Sequence, residues 1–592
     1  MVKKMGFAVI FICMVIMFCS CGADDKKPAP TAVFLAEPVS GNAPLTVHFT
    51  DASTGSISNR EWDFNNDGTV DSTDTNPSFT YNSAGTYSVK LKAIGPGGSN
   101  EELKIDYIVV ETAVPLNADF SATPRSGELP LVVNFTDESD GNVTSWTWDF
   151  NNDGTTDSNE QNPSWTYDTA GFYSVSLTIT GTTGSDTCLK QQYIVAANNI
   201  WYVDDSVTES GDGSSAEEAF KTIQEGLDAA PDYDLVLVAD GIYSGLENRN
   251  LNFNGKLIHL RSINGSSGCE IDCQYAGRGF VFENGETNDA IIDGFTIRNA
   301  SVEGDPYGLG GGIYCDASSP TIVNCTISGN SAMRGAGIFL TTSSAVFSNC
   351  VITNNICEVN GGGVYFDFNS NATMTNCMIS NNTATMGTGI FIEESSPIIK
   401  NCIISNNTST NEYGSGDGAG ICCFTNGNAT IINCSITNNM SDYGGGMSIY
   451  AAAPVITNCT IVDNSALEYG GGVYYYGENN GTIINNSVIW GNTVGGAGNQ
   501  IFADSALTLN NCNYSTNATD VAGEGTITAN SCIHSDPLFI NPANLNFRLQ
   551  ISSPCIDSGN NTYLPVDVTT DLDGNDRIVN TTVDIGAYEN QE

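Results

Sequence analysis

Two short stretches of this sequence place oxygen-bearing side chains at a spacing that suits a calcium ion. They span residues 63–74 and 149–160, with oxygen side chains at positions 1, 3, 5, 9 and 12, glycine at position 6, and a backbone carbonyl available at position 7. Calcium is a hard cation that prefers carboxylate and carbonyl oxygens, and this spacing lets one loop surround it. The predicted ligands are Asp63, Asn65, Asp67, Thr69, Asp71 and Asp74 in the first stretch and Asp149, Asn151, Asp153, Thr155, Asp157 and Glu160 in the second.

A second interpretation of both stretches is an acidic turn, rich in asparagine and glycine, that is simply solvated. The segments on either side have the composition of strands, so a calcium site here would be an EF-hand-like loop on a β-hairpin. Both copies keep the whole pattern, which favours calcium, and the two interpretations stay open.

The two loops belong to a duplicated module. Ten residues of the first copy recur 86 positions later, and each copy shows short alternating strands separated by turn residues, which predicts a β-sandwich. The ten are Phe34, Pro38, Pro44, Phe49, Asp51, Trp62, Phe64, Tyr81, Gly85 and Tyr87. The phrases at 44–51, 62–64 and 81–89 resemble the polycystic-kidney-disease (PKD) domain, an immunoglobulin-like module. The resemblance implies spacer or binding domains at 31–112 and 116–197, and no catalysis.

A longer repeat follows between Gly310 and Asn517. An apolar residue, Asn-Cys, Ile and a closing Asn return every 25–32 residues, and a glycine-rich phrase followed by Ile or Val lies between copies. A period of this length indicates stacked coils, and the short runs rich in Ile, Val and Thr indicate strands. The repeat resembles the pectate-lyase-like parallel β-helix. The predicted fold is therefore all-β, with two tandem immunoglobulin-like sandwiches followed by a right-handed parallel β-helix over residues 200–535.

Stacking of the coils predicts columns of like residues inside the β-helix. Three inward columns are expected, at the positions three before the cysteine, two after it, and just after the glycines; Ile322, Ile327 and Ile313 are their examples in one coil. The cysteines share this inward parity, and we expect mostly free thiols there, with pairing of Cys269 and Cys273. The closing asparagines, from Asn299 to Asn517, are expected to hydrogen-bond from coil to coil.

The residue after the inward aliphatic position of each glycine phrase must face outward. It is aromatic in five coils and small at Cys422 and Ser448. Such a column predicts a binding surface for polysaccharide or another cell-surface ligand, because sugar rings stack on aromatic faces. The alternative is that the loops at 300–309 or 409–417 cover the column and form a second small core. The predicted ligand-binding residues are Tyr314, Phe339, Tyr365, Phe391 and Tyr474.

Both ends of the β-helix carry further signals. Phe220, Ile223 and Leu227 share one face of a helix predicted near 215–230, with Ser214 or Ser215 as its N-cap, that plugs the first coil. Residues 536–592 contain phrases such as Ser-Pro-Cys-Ile-Asp-Ser-Gly that resemble the C-terminal part of bacterial choice-of-anchor Q proteins. That resemblance implies a closing cap.

The N-terminus predicts export. Residues 1–21 carry two lysines and then an apolar core, which is typical of a signal peptide. The ending Cys-Ser-Cys-Gly resembles a bacterial lipoprotein signal, which implies a lipid on Cys21, a tether over 22–30, and an outer-membrane or cell-surface location reached through the lipid alone. An ordinary secretory signal is the alternative.

Charge limits the function. The formal net charge of −47 argues against nucleic acid as a partner. Between Arg298 and Arg548 the only cations are Arg334 and Lys400, so this region would repel an acidic polysaccharide. The carboxylates are scattered, whereas a glycoside hydrolase needs a close pair. We therefore predict a non-enzymatic surface binding or adhesion protein, with a polysaccharide-degrading hydrolase or lyase as the alternative.

Overall fold

The computed structural model describes residues 27–112, 114, 116–181, 184–302, 307–410, 416–477, 481–566 and 568–591. The predicted signal peptide and Cys21 lie outside the described residues, as does most of the tether. In the described part of the chain, no helix has both the length and the apolar character needed to cross a membrane.

The first sandwich contains a three-stranded and a four-stranded sheet. The three-stranded sheet has the order Phe34–Glu37, Leu45–Asp51 and Ser78–Tyr81, and the four-stranded sheet has the order Ser40–Asn42, Gly98–Glu111, Gly85–Gly95 and Asn59–Asp63. Alternation along Leu45–Asp51 buries every second residue, as period-two geometry requires. The core gathers Phe34, Phe49, Trp62 and Phe64 with the aliphatic residues of the longer strands.

The second sandwich repeats these strands. Its three-stranded sheet has the order Ser164–Tyr167, Leu131–Asp137 and Phe120–Thr123, and its four-stranded sheet has the order Val143–Asp149, Gly171–Gly181, Gly184–Ala197 and Ser126–Glu128. Trp148 is fully buried like its counterpart Trp62. The prediction of two duplicated sandwiches is confirmed.

Four parallel sheets form the β-helix. Sheet A contains Ile200–Val203, Leu235–Val238, His259–Ser262, Ile291–Asp293, Thr321–Val323, Val346–Ser348, Thr373–Thr375, Ile398–Lys400, Thr430–Ile432, Val455–Thr457, Ile483–Asn485, Leu507–Asn510 and Ile527–Asn530. Sheet B contains Gly241–Ser244, Cys269–Asp272, Thr296–Arg298, Thr326–Ser328, Val351–Thr353, Met378–Ser380, Ile403–Ser405, Ser435–Thr437, Thr460–Val462, Val488–Trp490 and Asn513–Tyr514.

Sheet C follows the glycines of each coil, and sheet D precedes them. Sheet C contains Leu251–Asn252, Phe280–Phe282, Ile313–Asp316, Ile338–Thr341, Val364–Asp367, Ile390–Glu393, Ile421–Phe424, Met447–Tyr450, Val473–Tyr476, Ile501–Ala503 and Val521–Ala522. Sheet D contains Ser331–Arg334, Ile356–Asn360, Thr383–Ala384, Thr408–Ser409, Met440–Tyr443, Ser465–Tyr469 and Thr493–Val494. Sheet D was not foreseen, because its strands are short and carry no regular alternation.

The predicted inward columns are confirmed. Ile322, Ile327 and Ile313 and their equivalents in later coils form one continuous buried core. The cysteine column lies in the same core, and all described cysteines are free. The expected pairing of Cys269 with Cys273 is therefore wrong; both thiols pack as small apolar side chains, and burial raises the pKa of each.

A ladder of buried asparagines closes each turn between sheets B and D. In the coil of Asn382, Nδ2 donates to Ile352 O and Asn407 Oδ1 at 3.0 Å each, while Oδ1 accepts from the amide and side chain of Asn355 at 3.0 Å each. The chain of bonds runs from Asn330 to Asn492. The predicted first member, Asn299, is one residue out of register: it takes the left-handed conformation, and Ala300 occupies the ladder position. At the other end, Asn517 bonds instead to Ser515 and Asp520.

The helix at the start of the β-helix is shorter than predicted. It spans Ile223–Ala229, and its N-cap is Thr222, whose side chain accepts the amide of Glu225 in a capping box. Phe220 pairs with Val203 in a parallel bridge, and residues 213–218 before it form bends and a turn, so no helix begins there. The predicted caps Ser214 and Ser215 are therefore wrong.

The C-terminal segment lies along the side of the β-helix, which differs from the predicted closing cap. Its residues Phe547, Ile585 and Tyr588 form an apolar cluster with Val462 and Val488 of sheet B. Hydrogen bonds from Asn433 Nδ2 to Thr570 O (2.7 Å) and from the amide of Ala587 to Thr460 Oγ1 (3.0 Å) fix it across several coils. Outward apolar residues on sheet B supply a surface that the segment buries.

The asparagine ladder should be a main source of stability. Asn382→Ala removes four buried hydrogen bonds and deprives the Asn355 amide of the side-chain oxygen that accepts it, so we expect a loss of about 2–4 kcal/mol in unfolding free energy. The measurement is chemical unfolding of the full chain, followed by circular dichroism. The exposed Asn544→Ala should change stability by less than about 0.5 kcal/mol; equal effects of the two variants would contradict the role of the ladder.

Candidate functional site

The first predicted calcium loop is a hairpin turn held by hydrogen bonds from the backbone to a carboxylate. Asp63 Oδ1 accepts the amide of Asp67 at 3.1 Å, and Oδ2 accepts the amide of Gly68 at 3.0 Å. Lys90 Nζ lies 3.1 Å from Asp63 Oδ2. A lysine therefore neutralises the first predicted calcium ligand of this copy.

The second loop has the same bonds without the lysine. Asp149 accepts the amides of Asp153 at 3.2 Å and Gly154 at 2.8 Å, and Ser176 stands where the first copy has Lys90. Hydrogen bonds from the side chain and amide of Thr155 hold the pKa of the exposed Asp153 below its usual value, so this carboxylate is ionised at neutral pH.

The acidic side chains of the two loops are not grouped as a metal site in the described structure. Among the residues that the structure describes, no three His, Cys, Asp or Glu side chains are grouped so that they could hold a metal ion. The carboxylates are turned toward backbone amides, and the far ends, Asp74 and Glu160, accept bonds from Trp62 and Trp148 through their backbone carbonyls. Calcium binding would need the carboxylates to rotate toward a common centre, and it stays a prediction.

The predicted aromatic column lies on the outer side of sheet C, outside the inner core. Its rings contact one another in sequence, with centroids 5.9 Å apart for Tyr314 and Phe339, 5.2 Å for Phe339 and Tyr365, and 4.9 Å for Tyr365 and Phe391. The expectation that these rings are exposed is wrong for three of them: Phe339, Tyr365 and Phe391 are at most 2% exposed.

Neighbouring residues on both sides of the column cause this burial. Leu309 and Met386, just before the glycine turns, and Phe424 on sheet C pack against the rings. The Tyr365 hydroxyl donates to Glu393 Oε2 at 2.5 Å, and burial, with this bond, raises the pKa of Tyr365. This part of the column is the second small core that the sequence left open as an alternative.

Tyr314, at the start of the column, is half-buried beside an open pocket. The guanidinium carbon of Arg278 lies 5.0 Å from the centroid of its ring. The pocket has a volume of about 490 Å³, and Asn250, Asn252 and Glu283 also line it. Tyr307, which is 71% exposed, also lines it.

The exposed aromatic surface lies further along the same face. We call it the tyrosine patch, and it consists of Phe424, Tyr443, Tyr450, Tyr469, Tyr474, Tyr476 and Phe502. Three of its rings are the most open, with 37% exposure for Tyr450, 36% for Tyr469 and 41% for Tyr476. Only Tyr474 of these seven was among the predicted ligand-binding residues.

Rings of the tyrosine patch form a continuous surface. Phe424 and Tyr450 stack with centroids 5.3 Å apart, Tyr450 and Tyr476 follow at 5.2 Å, and Tyr476 and Tyr474 are nearly parallel at 6.3 Å. On the other side, Tyr443 lies 5.3 Å from Tyr474. The patch combines residues from sheets C and D, which meet at the glycine turns.

Two carboxylates lie beside these rings. Asp442, on sheet D, is 5% exposed and accepts the amide of Gly416 at 2.9 Å through Oδ2. Asp417 pairs with Tyr443 in a parallel bridge, and burial, with the nearby charge of Asp442, raises the pKa of Asp417 to about 6. The scattered carboxylates of the sequence did not indicate this pair, because the strand of sheet D that carries Asp442 was not recognised.

A signal for the tyrosine patch was present in the sequence. The last residues of the sheet C strands are Phe424, Tyr450 and Tyr476 in three consecutive coils, three positions after the inward aliphatic residue. Period-two alternation gives them the same outward direction as the predicted column. Tyr443 and Tyr469, in contrast, are brought beside them only by sheet D.

Family models match three parts of the chain. A model described as "PKD domain" matches residues 32–106, and a second PKD model matches residues 114–196. A model described as "Right handed beta helix region" matches residues 244–397, 286–453 and 336–514 in overlapping copies.

Individual relatives and solved structures match different shares of the chain. The chain is 51% identical over 104 residues to the pre-pro-metalloprotease PrtV of Vibrio cholerae serotype O1, which is 17% of this chain and 11% of that protein. A crystal structure of pectate lyase Pel9A has a TM-score of 0.44 and 14% identity, over 67% of this chain and 97% of the lyase. The fibronectin(III)-like modules of Clostridium thermocellum CbhA cover 26% of this chain, and this chain covers 92% of them, with a TM-score of 0.18 and 17% identity.

The matched segments, the duplicated sandwiches and the stacked parallel sheets give one description of the molecule: two tandem PKD domains followed by a right-handed β-helix.

Proposed function

We propose that this chain is an exported surface protein that binds polysaccharide through the tyrosine patch of its β-helix, with the PKD domains as spacers. The observation that carries the proposal is the continuous aromatic surface from Phe424 to Tyr476, which is open to solvent beside carboxylates. Contiguous exposed apolar surface marks an interaction site more often than chance, and tyrosine combines a flat apolar face with a polar tip. Sugar rings offer the matching apolar faces and hydroxyl groups.

Export and anchoring are part of the same proposal. Residues 1–21 have the composition of an export signal, and the sequence around Cys21 supports a lipid anchor. Adhesion then follows from a binding site held away from the membrane by a tether and two folded spacers. Secretion without a lipid is the outcome if Cys21 is not modified.

Binding without cleavage is the favoured activity. A lyase acting on acidic sugars needs a cationic base, and Arg334 and Lys400 are the only lysine or arginine residues between Arg298 and Arg548. The alternative of a glycoside hydrolase is favoured only by the close approach of Asp417 and Asp442. A reducing-end assay on each bound oligosaccharide distinguishes the two, since a hydrolase would release new ends.

Removal of exposed rings should weaken binding without loss of stability. We expect Tyr450→Ala with Tyr476→Ala to reduce glycan affinity at least about tenfold, or 1.4 kcal/mol, because the stacking surface is lost. The measurement is a glycan array on the purified full chain, followed by calorimetry of the bound glycans.

Tyr365→Ala with Phe391→Ala is the matched control from the buried part of the same column. It should lower the melting temperature, because it removes two packed rings, and should leave glycan affinity unchanged in protein that remains folded. Unchanged binding by the Tyr450 and Tyr476 double variant would refute the proposed site.

We propose calcium binding by both loops, with the second loop favoured over the first. At millimolar calcium we expect the melting transition of the PKD domains to rise in the full chain, since a ligand of the native state stabilises it, and Asp153→Ala to reduce the rise. The Lys90 ammonium pairs with the Asp63 carboxylate. Lys90→Ser should therefore increase the stabilisation of the first loop by calcium, since it gives this loop the serine that the second copy has at position 176. A melting temperature that changes with neither calcium nor chelator would indicate that the loops are only structural turns.

A further inference from the structure

The outward column of sheet C changes from aromatic to small side chains beside the tyrosine patch. In register, Phe391 is followed by Cys422, then Ser448, then Tyr474. Three steps of about 4.8 Å separate the two aromatic positions, so about 14 Å of the column carries only small side chains. Both small residues are buried, at 0% for Cys422 and 2% for Ser448.

Residues that precede the glycines fill this part of the surface. The positions before the glycine turns form their own column, in which Met386, Asp417 and Tyr443 pair in parallel. Burial, with the nearby charge of Asp417, raises the pKa of Cys422 and the pKa of Tyr474. The small residues thus let an acidic side chain approach the sheet between aromatic rings.

Two carboxylates meet here without a counter-ion. Asp417 lies close enough to Asp442 for the second charge to raise the pKa of the first. Neither carboxylate joins a salt bridge in the part of the chain that the structure describes. The lysine and arginine residues between Arg298 and Arg548 are Arg334, three positions earlier in the same column, and Lys400 on sheet A.

A buried hydroxyl lies at the same place. Ser448 Oγ has no nitrogen or oxygen partner and interacts with the thiol of Cys422, and it lies against Gly418, where an added Cβ would come within 2.6 Å of it. Gly418 is the direct neighbour of Asp417. Two half-buried or buried carboxylates without a basic partner are costly in a folded protein, and a ligand that supplies positive charge would reduce that cost.

We propose that the tyrosine patch binds oligosaccharides of amino sugars with a free, protonated amine, which Asp417 and Asp442 attract while the surrounding tyrosine rings contact the sugar. This inference rests on the proposed polysaccharide binding and names the class of sugar. An ammonium group is attracted both by carboxylates and by the faces of aromatic rings. The same charges repel a uronic acid, and an acetylated or neutral sugar gains nothing from them.

The test compares three oligosaccharides of equal length on the full chain by calorimetry, at about 0.15 M salt so that long-range attraction is screened. We expect a glucosamine pentamer to bind at least about tenfold more tightly than an N-acetylglucosamine pentamer or a glucose pentamer. Equal affinity for all three would overturn the inference and leave the proposed binding function intact. Absence of binding by every oligosaccharide would overturn both.

Amino-acid substitutions can distinguish a specific binding site from the general attraction of an acidic protein for a cation. Asp417→Asn and Asp442→Asn should each reduce the preference for the glucosamine pentamer at least about threefold. Asp316→Asn, on the same outer face four coils away, changes the net charge equally and should keep the preference. Equal losses in all three variants would assign the preference to net charge and refute the site.

The preference should also depend on pH. Asp417 is faced by Asp442 and Tyr443 at the sheet D side and by Cys422, Ser448 and Tyr474 on sheet C. Its pKa of about 6 means that the carboxyl gains a proton as the pH falls through 6. A glucosamine pentamer with trimethylated amines keeps its positive charge at every pH, so its attraction to the site should weaken at pH 5 relative to pH 7. The N-acetylated pentamer carries no amine and should show no such change; a preference that is equal at both pH values would contradict a role for Asp417.

Discussion

Parallel hydrogen bonding between successive coils is the constraint on which the rest of the β-helix depends. Each strand pairs in register with the strand one coil before and one coil after, as Val364–Asp367 does with Ile338–Thr341 and Ile390–Glu393. Equivalent side chains must then lie directly above one another. An inward polar residue is acceptable only if its copies bond to one another, which the amides around Asn382 do.

The same register shapes the outer face of sheet C. A ring in one coil lies beside the ring of the next, so aromatic columns form whether or not a ligand exists. What differs along the face is the neighbouring column before the glycines: Leu309 and Met386 cover the first rings, whereas Asp417 and Tyr443 leave the later ones half-open. One architectural rule therefore produces a small core at Tyr365 and an exposed patch at Tyr476.

Charge distinguishes the patch from an ordinary apolar surface. The chain has few cations in this region, and both carboxylates at the patch lie without a basic partner among the described residues. In the first PKD domain, by contrast, Asp63 is paired with Lys90, and on sheet A Asp293 lies beside Arg261. The pair at Asp417 and Asp442 has no such partner among the described residues, and a cationic ligand would supply one.

The sequence by itself determined the repeated units, the inward columns and the turn residues, because period-two alternation and the recurrence of Asn, Cys and Gly are properties of the chain. It did not determine which outward residues are exposed, since that depends on sheet D, whose short strands carry no pattern of their own. Tyr365 and Tyr450 are both outward aromatic residues of sheet C strands, yet one is buried and the other open. Only the tertiary structure decided between them, because burial is set by the side chains that the neighbouring column places alongside.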